Sequence, residues 1–316
     1  MPHPNGWYCV ALSQDIPREG VLKTHALGRD LVVWRGAGGD AHVVDAYCPH
    51  LGAHLGVGGV VVGDTLRCPF HGWRFGGDGA CVEAPYATRT PRCSLGTWAT
   101  VERNGAVFLW YHALGEASDV DVPLLPEHGS PGWTRPNARS WRVRSHPQEM
   151  GENSVDSAHF LFVHGTLDVP RVELDTGDDR VFHVVNRARN KRFGRVVEAT
   201  IDIRIHGPGI SVIRFHEHAE VLLLAFTTPI DDEHVMQRFS FTARRAGNPI
   251  ARRLVSMLFI REVARQFEQD TPIWEHKRHL AKPILCDGDG PIWAYRRWYQ
   301  RFYSTPAIGT TVRTLE

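Results

Sequence analysis

The sequence predicts an α+β chain in two parts: an all-β N-terminal unit, then a curved antiparallel sheet wrapped on one long helix. Three observations predict it. Between Trp7 and Tyr111 short β-branched runs alternate with glycine-rich punctuation, the pattern of an all-β unit. From Gly115 to Asn137 the chain becomes rich in Pro, Gly, Asp and Glu and loses periodicity, which marks a crossing between domains. From Val181 to Ala243 strand-like runs return, and a long helical stretch follows them. The expected domains are 1–115 and 116–316.

The elements follow in order. Leu31-Val32-Val33-Trp34 reads as a strand broken by Gly36-Ala37-Gly38-Gly39, with Val43-Val44 next. Val60-Val61-Val62 ends at Gly63-Asp64, and Ala106 to Trp110 closes the N-terminal set. Glu149 to Val163 reads as one helix. Val181–Ile205 and Ile210–Ala243 carry β-branched alternation, and Val221 to Phe226 is uniformly apolar, as a buried strand requires. Gly247-Asn248-Pro249 opens the long helix, with Asn248 as its N-cap. Over Ala251–Gln269 that helix shows an apolar stripe of Val255, Leu258, Phe259, Val263 and Phe267. Pro272 is expected to break it just after Asp270.

Composition narrows the function classes. The chain has 316 residues, with Lys+Arg 36 against Asp+Glu 35, so it carries no basic field for nucleic acid. No stretch approaches the ~20 consecutive apolar residues of a membrane span. The start, Met1 to Tyr8, lacks the charged-then-apolar order of a signal peptide. A soluble cytoplasmic protein is expected. There is no internal repeat and no low-complexity segment.

Two short segments alternate cysteine and histidine: Cys48-Pro49-His50 and Cys68-Pro69-Phe70-His71, with seventeen residues between His50 and Cys68. Two thiolates with two imidazoles form the ligand set of a [2Fe–2S] cluster with Cys on one iron and His on the other. Neutral imidazoles make such a cluster less negative and raise its potential above that of an all-Cys cluster. A structural zinc site uses the same ligand types, but it usually groups Cys with Cys and His with His. A Cys48–Cys68 disulfide conflicts with the reducing compartment that the rest of the chain implies. Cys9, Cys81, Cys93 and Cys286 have no His at comparable spacing and read as buried small hydrophobes. Gly52, Gly72, Gly76, Gly77 and Gly79 let the backbone turn close to the inorganic sulfides. Trp73 fits both a shield for the cluster and ordinary core packing, and His54 reads as a hydrogen-bonded loop residue. The motif closely resembles the Rieske signature of ring-hydroxylating oxygenases. A centre of this kind passes electrons to a stronger oxidant, which the rest of the chain should hold.

The segment from Glu152 to Gly165 contains the candidates. A non-haem Fe(II) site needs two His and one carboxylate on one face of the metal. Five residues at ~100° each set His159 and His164 about 140° apart on a regular helix, so the helix must bulge or end between them. Gly165 supplies a stop. Asp156, three residues before His159, shares its face on a helix. The third ligand must be a distant carboxylate. Asp270 continues the apolar stripe inward, Glu268 points away, and Glu262 is the geometric runner-up.

Asn153-x-x-Asp156-x-x-His159-x-x-x-x-His164 is similar to the iron motif of Rieske non-haem iron oxygenases. Gln266 to Lys277 resembles the third-ligand segment of the 3-ketosteroid 9α-hydroxylase and sterol-desaturase branch. The resemblance runs from Gly6-Trp7-Tyr8 to the Arg-Trp-Tyr-rich end near Trp298. It implies a Rieske domain followed by a helix-grip, START-like catalytic domain. It implies cluster binding by Cys48, His50, Cys68 and His71, and iron binding by His159, His164 and Asp270. It gives Asp156 the role of a bridge to a neighbouring subunit's Rieske histidine in a head-to-tail homotrimer, and it puts Asn153 near the iron.

The implied function is that of an oxygenase component. It uses O₂ and takes electrons that originate in NAD(P)H from a separate reductase, with or without a ferredoxin. It hydroxylates a C–H bond of a hydrophobic small molecule, polycyclic or steroid-like. Desaturation and O-demethylation are alternatives on the same scaffold. A non-catalytic electron-transfer protein would not need the second motif. A lipid-binding protein with a vestigial metal site would not retain all three ligand types.

Overall fold

The computed structural model describes residues 1–175, 180–192, 195–216, 220–245 and 249–304. Its N-terminal part is built from three small antiparallel sheets. One pairs Gly6–Leu12 with Ala106–Tyr111 and adds Thr100–Arg103. A second contains Val21–Ala26, Arg29–Arg35, Ala41–Asp45 and Thr97–Trp98. The third is a meander of Val60–Val62, Thr65–Arg67, Arg74–Phe75 and Cys81–Glu83, and it presents the second Cys/His segment at a turn. The four strands read from sequence here all lie inside these elements.

The C-terminal part is a seven-stranded antiparallel sheet. Asn137–Arg144 forms one edge; then His234–Ala243, Glu220–Pro229, Ile210–His216, Arg195–Ile205 and Phe182–Arg192 lead to the other edge, Arg171–Asp175. Alternation assigns its two faces. Leu222, Leu224 and Phe226 pack with Trp7, Cys9 and Phe108 of the first N-terminal sheet, with Val122 and Leu125 of the crossing segment filling the seam. Val221, Leu223 and Ala225 face the other way, towards Phe267 and Trp274. Both faces are covered, so the strand reads as an unbroken apolar run. Polar bonds tie the same seam: Thr228 Oγ1 and an Arg238 guanidinium nitrogen both donate to the Cys9 carbonyl, at 2.7 and 3.0 Å.

Among the described residues four α-helices complete this part: α1 (Pro147–Glu152), α2 (Ala158–Phe162), α3 (Pro249–His276) and α4 (Ile292–Tyr299). α3 lies across the inner face of the sheet. Phe259 meets Phe215 at 4.9 Å, and Phe267 meets Phe239 at 5.1 Å and Trp141 at 4.6 Å. Leu258, expected on the buried stripe, is exposed, while Phe259 beside it takes the place against the sheet. Val255 and the Asn248 cap fall outside the described side chains and residues. None of the described helices is long and apolar enough to cross a membrane.

Two helical expectations are corrected. Glu149–Val163 is not one helix; the chain leaves helical geometry between Glu152 and Ala158. Asn186, fully buried, donates from Nδ2 to the Ser154 carbonyl at 3.1 Å, and Gly290 sits so close that an added Cβ would lie 1.8 Å from the Val155 carbonyl oxygen. Asn186 thus satisfies a carbonyl that a continuous helix would have paired internally, and Gly290 packs against the next one. Asp156 therefore precedes α2 instead of sharing a helical face with His159. Pro272 does not end α3. The helix continues to His276, whose Nδ1 bonds the Pro272 carbonyl at 2.8 Å, and buried Trp274 anchors the continuation against Phe267. Aromatic burial on this turn offsets the backbone bond that proline removes.

Candidate metal centres

The two N-terminal Cys/His segments fold into matching loops. In the first, the Cys48 N–H donates to the Ala53 carbonyl at 2.9 Å, and the Gly52 N–H returns to the Cys48 carbonyl at 2.9 Å. In the second, the Cys68 N–H donates to Trp73 at 2.8 Å, and the Gly72 N–H returns to Cys68 at 3.2 Å. Gly52 and Gly72 both sit at φ +72°, a left-handed turn that a side chain would strain. The loops bring the His50 and His71 rings to 4.6 Å, with Cys48 and Cys68 buried below them.

The donor set suits a cluster. His50 Nδ1 is buried and has no hydrogen-bond partner among the described residues, a costly state for a polar atom without a ligand. Burial pushes the Cys48 thiol up to about 11, against the pull of the His50 backbone N–H and with the Cys68 thiol alongside. Thiolates persist in such a place when a metal balances them. All six cysteines are free, so Cys48 and Cys68 are not joined. Trp73 belongs to the core, as one of its two readings held, and it also stacks on His50 at 4.4 Å and 7°. Its Nε1 donates to Tyr86 Oη at 3.0 Å. His54 Nδ1 accepts from the Gly56 N–H at 3.0 Å, as a loop residue. Of the other cysteines only Cys9 is buried; Cys81 and Cys93 are half-buried and Cys286 is exposed, so the uniform reading of these four was wrong. Cys286 lies in an irregular segment, where no sheet or helix covers it.

The second set meets at the helices. The His146 ring caps α1 by accepting from the Gln148 N–H at 3.2 Å, with Pro147 at the first helical position. α2 ends at Phe162, and Gly165 at φ +73° turns the chain. The helix thus stops between His159 and His164, whose rings stand 5.1 Å apart at 82°. Asp270 comes from the C-terminal part of α3 and is only 6% exposed. One ligand atom from each of His159, His164 and Asp270 lies within 4.8 Å of the others.

Each imidazole is oriented from behind. His159 Nδ1 bonds the Asp156 carbonyl oxygen at 2.5 Å, leaving a buried Nε2 with no partner among the described residues. His164 Nδ1 bonds Gln269 Oε1 at 3.3 Å, while its Nε2 lies 3.3 Å from Asp270 Oδ1. Outward Nδ1–H bonds that leave Nε2 free are the arrangement of metal-ligating histidines. Asn153 Nδ2 donates to Asp270 Oδ2 at 3.4 Å. Two imidazoles and a carboxylate on one side, with room opposite, fit a 2-His-1-carboxylate iron site. Burial pushes the Asp156 carboxyl up, but the opposing pull of His159 prevails and holds it below the usual carboxylate range.

Glu262 is elsewhere. Arg265 and Gln266 hold its carboxylate on the outer side of α3. Glu268 points outward, as expected, within 3.5 Å of Trp141 Nε1. Gln269 is the residue that sequence reasoning passed over. It lies inside the quoted segment, but only the fold shows that it faces His164. The triad opens on a largely apolar cavity with Ile203, Ile213, Phe215, Leu223, Phe239 and Phe267 in its lining.

Comparison with known proteins identifies the family of each half of the chain. The family described as "Rieske [2Fe-2S] domain" matches residues 6–99, and "3-Ketosteroid 9alpha-hydroxylase C-terminal domain" matches residues 109–303. The chain is 35% identical to a cholesterol 7-desaturase of Xenopus laevis, over 96% of this chain and 72% of that protein. It is 30% identical to the oxygenase component of a 3-ketosteroid-9-alpha-monooxygenase of Rhodococcus rhodochrous, over 94% of this chain and 82% of that one. Among solved structures, dicamba monooxygenase bound to dicamba superposes with a TM-score of 0.77 at 20% identity, covering 94% and 96% of the two chains. Pseudomonas putida CBB5 NdmA follows at 0.75 and 20%, covering 93% and 88%. At these identities the structures attest the fold.

Proposed function

Because the chain belongs to the Rieske non-haem iron oxygenases, in the branch of the 3-ketosteroid 9α-hydroxylases and cholesterol 7-desaturases, we propose that it hydroxylates a C–H bond of a hydrophobic, steroid-like molecule. It is an oxygenase component: it uses a Rieske [2Fe–2S] cluster and a mononuclear iron, and its electrons come from a separate reductase. When bound, the cluster supplies single electrons and the Fe(II) supplies O₂ activation. In this reading residues 1–115 form the cluster domain, held by Cys48, His50, Cys68 and His71. Residues 116–316 form the catalytic domain, with iron on His159, His164 and Asp270.

The observation that carries the reading is the His159, His164 and Asp270 triad on the wall of an apolar cavity. The chain's own side chains have distinct tasks there. Asp156 and Gln269 hold the two imidazoles in the tautomer that turns Nε2 inward. Asn153 holds one Asp270 oxygen. The Ile and Phe lining takes the substrate from water and keeps water from the site.

The assembly is a head-to-tail homotrimer in this reading. Leu51 and Phe70, 65% and 62% exposed, rim the cluster loops, and Phe162, 81% exposed, stands beside the iron helices. These exposed apolar side chains suit a contact between subunits. A heterologous contact between them closes into a ring when the rotation permits. Asp156 then lies at the junction, where it links His159 to a cluster histidine of the next subunit. The compartment in this reading is the cytoplasm.

The test is product analysis with a reductase, NADH and a panel of steroids and small lipids. A hydroxylated product, coupled to O₂ uptake and lost in His159→Ala, is expected. A new double bond or a demethylated product would move the chain to the desaturase or O-demethylase alternative, and no turnover of any apolar substrate would contradict the reading.

A further inference from the structure

The floor of the cavity has one polar corner. Ser211, Thr227 and Gln237 project from three neighbouring strands onto the face that otherwise carries Ile213, Leu223 and Phe239. Thr227 pairs directly across from Gln237, and Ser211 pairs with Ala225, two residues back along the same strand. Gln237 is 2% exposed. Its Oε1 accepts from Thr227 Oγ1 at 2.7 Å, and among the described residues its amide nitrogen has no hydrogen-bond partner. Thr227 therefore holds one pole of the amide and turns the other to the cavity. The nitrogen side of the amide, which that bond leaves untied, is available to an acceptor in the cavity that Gln237 lines.

From this we propose that Gln237 is a specificity residue. It takes the oxygen of a substrate that is otherwise hydrocarbon, a single ketone or hydroxyl group, and so fixes which C–H bond lies under the metal. The inference rests on the reading of this cavity as the substrate site, and it deepens that reading. The corner is separate from the metal ligands: it lies on the sheet, whereas His159, His164 and Asp270 come from the helical wall. An apolar wall grips any apolar ligand of the right size and discriminates weakly. A buried donor discriminates strongly, because a ligand without the acceptor leaves it unpaired. Thr227 is a positioning residue that acts through Gln237.

The test compares two ligands that differ only in the oxygen: androst-4-en-3-one and androst-4-ene. Dissociation constants are read on the full-length, metal-loaded protein by isothermal titration calorimetry. The wild type should bind the ketone about tenfold to a hundredfold more tightly. In Gln237→Leu the two constants should fall within about twofold of each other, with the hydrocarbon bound as well as before or better. Gln237→Met serves should the leucine variant fail to fold. With NADH and reductase, Gln237→Leu should also broaden the product distribution, since the substrate loses its fixed point. Equal wild-type affinities, or discrimination that survives in both variants, would overturn the assignment while leaving a hydrophobic-substrate site in place. Failure of the wild type to bind either steroid would overturn the steroid-like reading, and this one with it.

Discussion

Asp270 and Glu262 lie eight residues apart on one helix and have different partners. Asp270 faces His164 and Asn153 in the interior, whereas Glu262 is taken up by Arg265 and Gln266 at the surface. Asp270→Ala should lower mononuclear iron content and turnover together. Glu262→Ala should change stability by less than about 1 kcal/mol, as for an exposed pair, and keep the iron. Metal analysis of both variants checks this, and the reverse result would transfer the role to Glu262. A second residue sets a pH response. Burial pushes the His146 imidazole down to about 4, against the lift from the Pro2 carbonyl, and its cap on α1 needs the neutral ring. The unfolded chain protonates this side chain near ~6.5, so the unfolded state binds more protons between the two values. Stability from this group is complete above pH 6.5 and falls as the pH drops towards 4, by about 3 kcal/mol in all. His146→Gln should flatten that part of a denaturation profile. The two Cys/His arms were legible as candidate ligands because each is contiguous and its chemistry is local. Gln269 and Gln237 were not, since each acquires a task only from a residue on another element.

At the scale of elements, strands were easier to read than helix ends. Val221 to Phe226 is apolar throughout because both sheet faces are covered, and that pattern survives any detail of packing. The break after Glu152 and the continuation through Pro272 depend on Asn186, Gly290 and Trp274, which are distant in sequence or act by burial, so local propensity gives the wrong answer twice. α1 is tied to α4 by a buried bidentate pair in which Arg296 donates to both Glu152 oxygens at 2.5 and 2.9 Å. Arg296→Leu leaves Glu152 buried and unpaired. It should cost about 3–5 kcal/mol and loosen the turn that holds Asn153. The double variant Glu152→Leu/Arg296→Leu should recover a good part of that loss in chemical denaturation. A single variant with wild-type stability would show that the pair does not anchor the iron helices.

At the scale of the whole molecule, the cluster loops and the triad occupy different parts of the chain, and the proposed ring brings each cluster beside the next subunit's iron. Asp156 is the residue that this arrangement needs. Asp156→Asn should keep both metal centres and the trimer, yet slow oxidation of the reduced cluster by O₂ and substrate by orders of magnitude in single-turnover stopped flow. Wild-type oxidation in that variant, or a fully active monomer by light scattering, would remove the bridging role. The central claim is that one chain holds two separate metal centres on two separate ligand sets. Iron and acid-labile sulfide, measured together with the cluster absorption, test it most directly. Wild type should hold about three irons and two sulfides per chain, one [2Fe–2S] cluster plus one mononuclear iron. His159→Ala should lose one iron and keep both sulfides and the full cluster spectrum, while His50→Ala should lose the cluster absorption. Loss of the cluster spectrum in His159→Ala, or an unchanged iron count, would contradict the two-centre account.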